Sequence, residues 1–545
     1  MQSPTPPPGS VTAESSSLSL PAHPEVYINE IGSTPTSVIG VATAVPAFIG
    51  YTETAESGGK SVLNQPVLIT SQAEFEQTFG AGPQPTYRIQ TTPAATPDGF
   101  SVVNTTVVPP VTVYFTLERE GARYNLYNSL RLFYANGGGS CYVVSVGSYQ
   151  DPVQAADLQR GLAAIASQAG PTMLVVPDAV LLPPDDPATP WVSSAFAQVA
   201  QGMLQQAASL QDRIAILDVY GTLSLSQPSG APVLDTVATQ FRTAVGSQGL
   251  SYGAAYFPFL ATTIVAAGEV DLGWIGNTPP APGQAGILQD ILSWEALNLY
   301  PDSPGAPSPM RASVQGQIDQ IPTTEDVGAL DASLRTEIPL LGQMEQRIAD
   351  DQNVLPPSAA LAGVMTQVDA AQGVWFAPAN VALAGVAQPT YAVTDTQQQA
   401  LSLPPDGTAI DVIRAFPSRG VVVWGARTLD GNSNDYRYIQ VRRTLIYIEQ
   451  SIKQALNQFA FSPNTALTWT AATSMVSSFL TGVWSAGGLL GATAADAFSV
   501  QCGMGSTMTA ADVQEGYMIV QVTLQVIRPA EFIELTFKQK MESAD

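Results

Sequence analysis

Residue types that could do chemistry first come together at GGKS, Gly58 to Ser61, where glycines ahead of Lys-Ser are the kind of run that wraps a phosphate. A phosphate loop also needs a glycine at the position held by Thr54 and a helix directly after it. SVLNQPVLIT follows instead and reads as extended, so the segment is expected to be a surface turn. NGGGS, Asn136 to Ser140, precedes a strand, whereas a dinucleotide fingerprint follows one and opens a helix; it too reads as a tight turn. Asp185 and Asp186 lie in a Pro-rich loop and Asp350 and Asp351 end a helix; neither pair has calcium-hand spacing, and both read as solvated surface. Cys141 and Cys502 are too few for a disulfide framework or a zinc set and read as buried small hydrophobes. The single histidine, His23, rules out a multi-histidine metal site within one chain, and no G-x-S-x-G elbow is present. The expectation is no catalytic residue, no cofactor and no metal.

The charge pattern says more. The 545 residues carry a net charge of −24, which argues against nucleic-acid binding by phosphate neutralisation. Only 12% of residues are charged, against about 25% in an average chain, so the surface must be unusually neutral, which suits protein contact. Between Arg414 and Lys453, seven basic residues (Arg414, Arg419, Arg427, Arg437, Arg442, Arg443, Lys453) face three acidic ones, a local net charge of +4. Either these pair internally with an acidic body, or they form a basic face for an acidic partner, where complementarity sets register. Thr243 to Gly268 and Gln454 to Ala495 are uncharged, but Ser, Thr, Gln, Gly and Pro interrupt their apolar residues too often for a membrane span.

The elements that would position these residues alternate. Apolar runs at Val45–Thr52, Cys141–Gly147, Thr172–Asp178, Arg213–Val219 and Gly253–Leu260 read as buried strands, with helical stretches at Pro152–Ser167 and Val192–Leu210 between them. That order indicates an α/β layer. A Thr/Val/Pro-rich stretch, Gln84 to Thr116, reads as an inserted β-hairpin. Asn277 to Pro357 reads as a second insertion, Pro/Gly-rich and then helical near Thr324 to Asp350. A second body is expected from about Gly363 to Val526. In it, Leu445, Ile448, Ile452, Leu456 and Phe459 mark one helix, and Val476, Phe479, Leu480, Val483 and Trp484 mark a face of another.

Both ends look extended. The first 25 residues have no basic n-region or apolar core and read as a flexible arm rather than a secretory signal. VYINEI follows, with Val26 and Ile28 on one side and Tyr27 and Ile31 on the other. At the far end, from Gly516 to Lys540, Val520, Val522, Leu524 and Val526 alternate, then Ile533, Leu535 and Phe537 after Phe532. No partner for this strand is evident in its own sequence. It either docks back or adds to a neighbour's sheet, where backbone bonds give affinity and alternating pockets give specificity. Gly32, Pro35, Gly40 and Pro529 fix or free the backbone beside these arms and are the expected hinges.

VYINEI followed by AFIGYT, then SLRLFYANGGGSCYVVSVG (Ser129 to Gly147), RIAILDV, AAYFPFL, GVWFAPANVAL (Gly373 to Leu383), RGVVVWGARTL (Arg419 to Leu429), YIQVRRTLIYIEQSI (Tyr438 to Ile452) and RPAEFIEL (Arg528 to Leu535) together resemble contractile tail sheath proteins, in the family's order. The NGGGSCYVVSV and WGARTL segments are similar to sheaths of extracellular contractile injection systems, the phage tail-like particles. The resemblance implies an α/β (α+β) multidomain chain with the tail-sheath fold. It would comprise an N-terminal arm and donated strand (1–40), an outer α/β domain with insertions (41–362), an inner tube-facing domain (363–526) and a C-terminal arm (527–545). It further implies stacked hexameric rings of this chain around an inner tube protein, with baseplate and terminal cap proteins and, in some particles, sister sheath proteins. Assembly would occur in the bacterial cytoplasm, within a virion-like or released particle, without membrane insertion. Arg442 and Arg443, then Lys453, are the expected tube-facing residues. Two other classes stay in view. An α/β hydrolase or nucleotide-binding enzyme lacks the residues it needs, and a static shell or surface lattice would use the same strand exchange.

Overall fold

The computed structural model describes residues 37–226, 233–277, 286–304, 306–324, 326–404 and 407–531. The expectations for Val26, Tyr27, Ile28, Ile31, Gly32, Pro35, Phe532, Ile533, Leu535 and Phe537 fall outside them.

A nine-stranded sheet organises the chain. At its middle, β1 (Pro46–Thr52) is buried at every position, because helices cover both faces. β8 (Cys141–Ser148) and β9 (Met173–Val175) flank it in parallel, and β10 (Ile214–Asp218), β11 (Gly253–Phe257) and β16 (Asp411–Phe416) extend the parallel run. Antiparallel strands close the edges: β4 (Val67–Ile69) beside β8, and β17 (Gly420–Val423) then β14 (Val381–Ala382) beyond β16. Side chains alternate as the pleat requires. Ala47, Ile49 and Tyr51 meet α3 (Ala155–Ala166), α4 (Ser194–Leu210) and α5 (Leu234–Val245). Phe48 points the other way, toward α1 (Gln72–Phe79), α2 (Leu126–Ala135) and α10 (Ser358–Gln372). α4 starts where the Ser193 hydroxyl accepts the Phe196 N–H at 3.2 Å, and it stops at Gln211, whose left-handed φ of 55° turns the chain away.

The GGKS segment is a hairpin: β2 (Glu56–Ser57) pairs with β3 (Lys60–Ser61) across Gly58 and Gly59, both at positive φ. No helix follows to receive a phosphate. The NGGGS segment likewise turns α2 into β8, with Gly137 at φ 89°.

The two insertions build one lobe. β5 (Thr86–Thr92), β6 (Phe100–Asn104) and β7 (Val111–Glu120) form a three-stranded antiparallel sheet rather than a simple hairpin. Against it pack α6 (Ile287–Leu299), α7 (Pro309–Ile318), α8 (Val327–Glu337) and α9 (Pro339–Gln352), so helix begins well before Thr324. Tyr87, Ile89, Val102 and Phe115 share a core with Leu288, Ile291, Leu334 and Ile348. Asp351, expected on a solvated surface, accepts from the Tyr87 hydroxyl at 2.6 Å and from Arg119 and Arg123, tying sheet to helix. A small sheet of β12 (Leu260–Thr262), β13 (Val354–Leu355) and β15 (Val386–Pro389) joins this lobe to the main sheet.

The expected domain break at residue 363 does not fall at the edge of the sheet. β14, β16 and β17 belong to the main sheet, and α11 (Asp395–Ser402) packs on β16, because Tyr256 of β11 pairs in register with Asp411. The second body starts within α12 (Ile439–Leu456). Its lower half packs with α13 (Ala466–Ser485) and a two-stranded sheet of β18 (Phe498–Gln501) and β19 (Gln521–Leu524). β19 thus has a partner in its own chain, β18, which the sequence reading had not found.

Candidate functional site

Both ends of the described chain are fastened where the small body meets the sheet. On the N-terminal side, Val38 is buried against Ile448, Ile452 and Val476. The Val41 N–H donates to Ser451 Oγ at 3.1 Å, and Arg443 Nη2 donates to the Thr43 carbonyl at 3.1 Å. Gly40 lies so close to Tyr447 that a Cβ would overlap the phenol. Its lack of a side chain therefore serves close packing, and a freely bending hinge at this point is not what the geometry provides.

On the C-terminal side, β19 runs into Gln525, whose N–H donates to Ala497 at 2.9 Å and whose carbonyl accepts from Leu490 at 2.7 Å. The chain then crosses back to the main body. The Glu531 carboxylate receives Arg427 Nε at 2.8 Å and Nη2 at 2.6 Å, with the Tyr438 hydroxyl at 2.9 Å. Arg427 is 3% exposed, and its Nη1 donates to the Gly431 carbonyl at 3.1 Å. Its own segment is part of the sheet body: its N–H donates to Asp411 at 3.0 Å, and the Leu429 N–H donates to Gly253 of β11 at 2.8 Å. Burial pushes the Asp411 carboxyl up to about 8, so Glu531 is the counter-ion of the guanidinium at neutral pH. Burial opposes the Glu531 charge, but the bonds from Arg427 and Tyr438 outweigh it and hold the carboxyl below its ordinary range. Pro529 lies between this pair and the exposed Arg528–Asp435 pair at 3.7 Å.

Among the described residues β19 is paired on one edge only. Beside it lies an apolar groove of about 1150 Å³ between β19 and α12, lined by Leu445, Ile448, Ile452, Leu456, Val522 and Leu524. Phe461 stands on its rim, exposed and at a left-handed φ of 63°.

The basic window is mostly spent internally, which corrects the expected tube-facing role of Arg442 and Arg443. Arg443 grips Asp369 of α10 with two bonds, 2.9 and 2.6 Å, the side chains being 3% and 5% exposed. Arg442 is buried between the rings of Tyr252 and Tyr436, 4.2 and 3.8 Å from their centroids. Arg414 pairs with Asp395 at 2.6 Å, and Arg419 lies over Phe416 and Trp424. Lys453 is exposed and has no ion pair among the described residues. It sits between the groove and a second cavity of about 480 Å³ lined by Val41, Thr43, Tyr447 and Gln450. The sequence reading passed over Asp369, Asp411 and Glu531. The first two carried a signal: a lone acid on an otherwise uncharged helix, and one opening an apolar strand, each of which needs a partner when buried.

No described helix is long and apolar enough to cross a membrane, and among the described residues no group of His, Cys, Asp or Glu is placed to hold a metal. Residues 432–540, which contain α12, α13, β18 and β19, match the phage tail sheath C-terminal domain family. The whole chain shares its fold with the anti-feeding prophage (AFP) helical sheath in its contracted state, at 26% identity and TM-score 0.55, over 96% of this chain and all of that one. It matches equally the PVC sheath complex of an extracellular contractile injection system, in the contracted state, at 25% identity and TM-score 0.55, over 96% of this chain and 99% of that one. A chain of the six-fold symmetrised AFP baseplate aligns at 26% identity and TM-score 0.54, over 96% and 100% of the two chains. A search of curated proteins found no match in sequence. Residues 432–540 thus carry the tail sheath C-terminal domain, and the chain as a whole has the fold of contractile sheath proteins. Within that class it is similar to the sheaths of extracellular contractile injection systems.

Proposed function

We propose that this chain is a structural subunit of a contractile sheath that assembles as stacked hexameric rings around an inner tube, on a baseplate, and contracts to drive the tube into a target. The observation that carries this reading is the acceptor site beside the anchored chain ends: one open edge of β19 above an apolar groove. A neighbour's C-terminal arm fits it chemically. Extending the two-stranded sheet would pair its backbone, and Ile533, Leu535 and Phe537, alternating on one face, would enter the groove. Three such side chains contribute roughly 5–8 kcal/mol gross, part of which ordering the arm offsets. Many links acting together hold a lattice even when each is marginal. The N-terminal strand, with Val26, Tyr27, Ile28 and Ile31, makes a second link of the same kind. The 363–526 region, chiefly the part from α12 onward, faces the tube and the inserted lobe faces outward; Lys453 is the remaining tube-facing candidate. Assembly takes place in the bacterial cytoplasm, before the particle is released.

The test is a chain ending at Glu531. It should give folded monomers that form no sheaths when mixed with tube and baseplate; sheath-length polymers in electron micrographs would reject the arm model. A static lattice is separated from a contractile sheath by whether native particles exist in two lengths.

A further inference from the structure

We infer that Arg427 and Glu531 are positioning residues that clamp the C-terminal arm to the sheet body, so that the arm pivots beyond Glu531 and not at the Ile527–Ala530 linker. This rests on the arm-exchange reading above. The small body, from α12 to β19, meets the rest of the chain along α12, the Val38–Thr43 segment and Trp375. Without the clamp, residues 527–531 would hang from β19, with the exposed Arg528–Asp435 pair as their remaining ion pair to the main body. The two-pronged bond from Arg427 returns the chain to a segment fixed to β16 through Asp411 and to β11 through Leu429. Arg427 is enclosed: Gly431 takes one of its nitrogens and Tyr438 lies 5.9 Å beneath it, so the guanidinium has one orientation. The Glu531 carboxylate takes bonds from Arg427 and Tyr438, which face each other across an antiparallel bridge, so both donors are held by the same local pairing. A pull on the arm therefore reaches the nine-stranded sheet directly, bypassing the β18–β19 pair. The clamp also shortens the tether. Releasing residues 527–531 would add up to about 17 Å of extended chain, and effective concentration falls steeply as a tether lengthens past its span.

The experiment is made in the full chain carrying Cys502→Ser, with nitroxide labels at Ala530→Cys and at Thr239→Cys on α5. The distance distribution between the labels should be narrow. It should broaden at least twofold in Glu531→Ala and return most of the way in Glu531→Asp. The concentration of unlabelled Glu531→Ala subunits needed to form sheaths on tube should rise several-fold, with the far-UV circular dichroism of the unassembled subunit unchanged. Glu531→Gln, which keeps the acceptor and loses the charge, should fall between alanine and wild type. A wild-type distance distribution and wild-type assembly threshold in Glu531→Ala would overturn the clamp. So would a raised threshold with no broadening, which would place Glu531 in an intersubunit contact instead. The chain ending at Glu531 separates the two ideas: if it still forms sheaths, arm exchange itself fails; if it does not, the Glu531→Ala result judges the clamp alone.

Discussion

Replacing Arg443 by methionine tests whether the basic window serves the interior or a partner. Methionine keeps the apolar stem and removes the guanidinium. Asp369 is then left with its side chain 5% exposed and no cation, and the Thr43 carbonyl loses its donor. Removing one partner of a buried pair costs about 3–5 kcal/mol, because the survivor stays desolvated. The lost bond to Thr43 adds about 1 kcal/mol and removes one of the ties between the N-terminal linker and α12. Urea unfolding of the unassembled subunit, followed by tryptophan fluorescence, should register the sum as a lower midpoint. The double variant R443M/D369L should be closer to wild type than R443M alone, since an apolar pair leaves no stranded charge. Lys453→Met should stay within about 0.5 kcal/mol, because that ammonium is exposed and unpaired among the described residues. If R443M is as stable as wild type yet fails to assemble on the tube, Arg443 faces a partner and the burial argument is wrong.

Further outcomes can be measured separately. Burial pushes the Asp218 carboxyl up to about 7, held only by the Ser358 N–H and hydroxyl at 2.7 and 2.6 Å. The folded chain then holds a proton that the unfolded chain releases near pH 4, so its contribution is complete below that value and is lost as pH rises toward 7. Stability should fall between about pH 4 and pH 7, and Asp218→Asn should flatten that fall by up to about 4 kcal/mol; an unchanged slope would count against a protonated Asp218. Gly40→Ala should cost about 1–2 kcal/mol by overpacking against Tyr447, and Tyr447→Phe in the same chain should cost less than the two changes added, as unfolding midpoints would reveal.

The sheet was legible because parallel strands buried on both faces read as unbroken apolar runs: AFIGYT, CYVVSVG and RIAILDV all became strands, with α3 and α4 between them at their expected places. The turns at GGKS and NGGGS were legible too, since a phosphate site needs a helix in a definite order and neither segment supplies it. What escaped involved pairing across long separations. β16 and β17 carry their own strand signal, but nothing local says that they join a sheet begun near residue 46. The two insertions looked like separate decorations because the apolar faces of β5–β7 and α6–α9 are complementary only once folded together.

The sequence alone determined periodicity, turn chemistry, net charge and the order of segments that marks a tail sheath protein. These are properties of neighbouring residues or of simple sums. Tertiary structure alone decided what each charge faces. Seven cations in forty residues fitted internal pairing or a docking face equally well, and it is the fold that brings Arg443 to Asp369 and Thr43, the latter 400 positions away, and Arg427 to Glu531, 104 positions away. A charge's partner is chosen by where the chain returns in space, and desolvation then makes that partner obligatory.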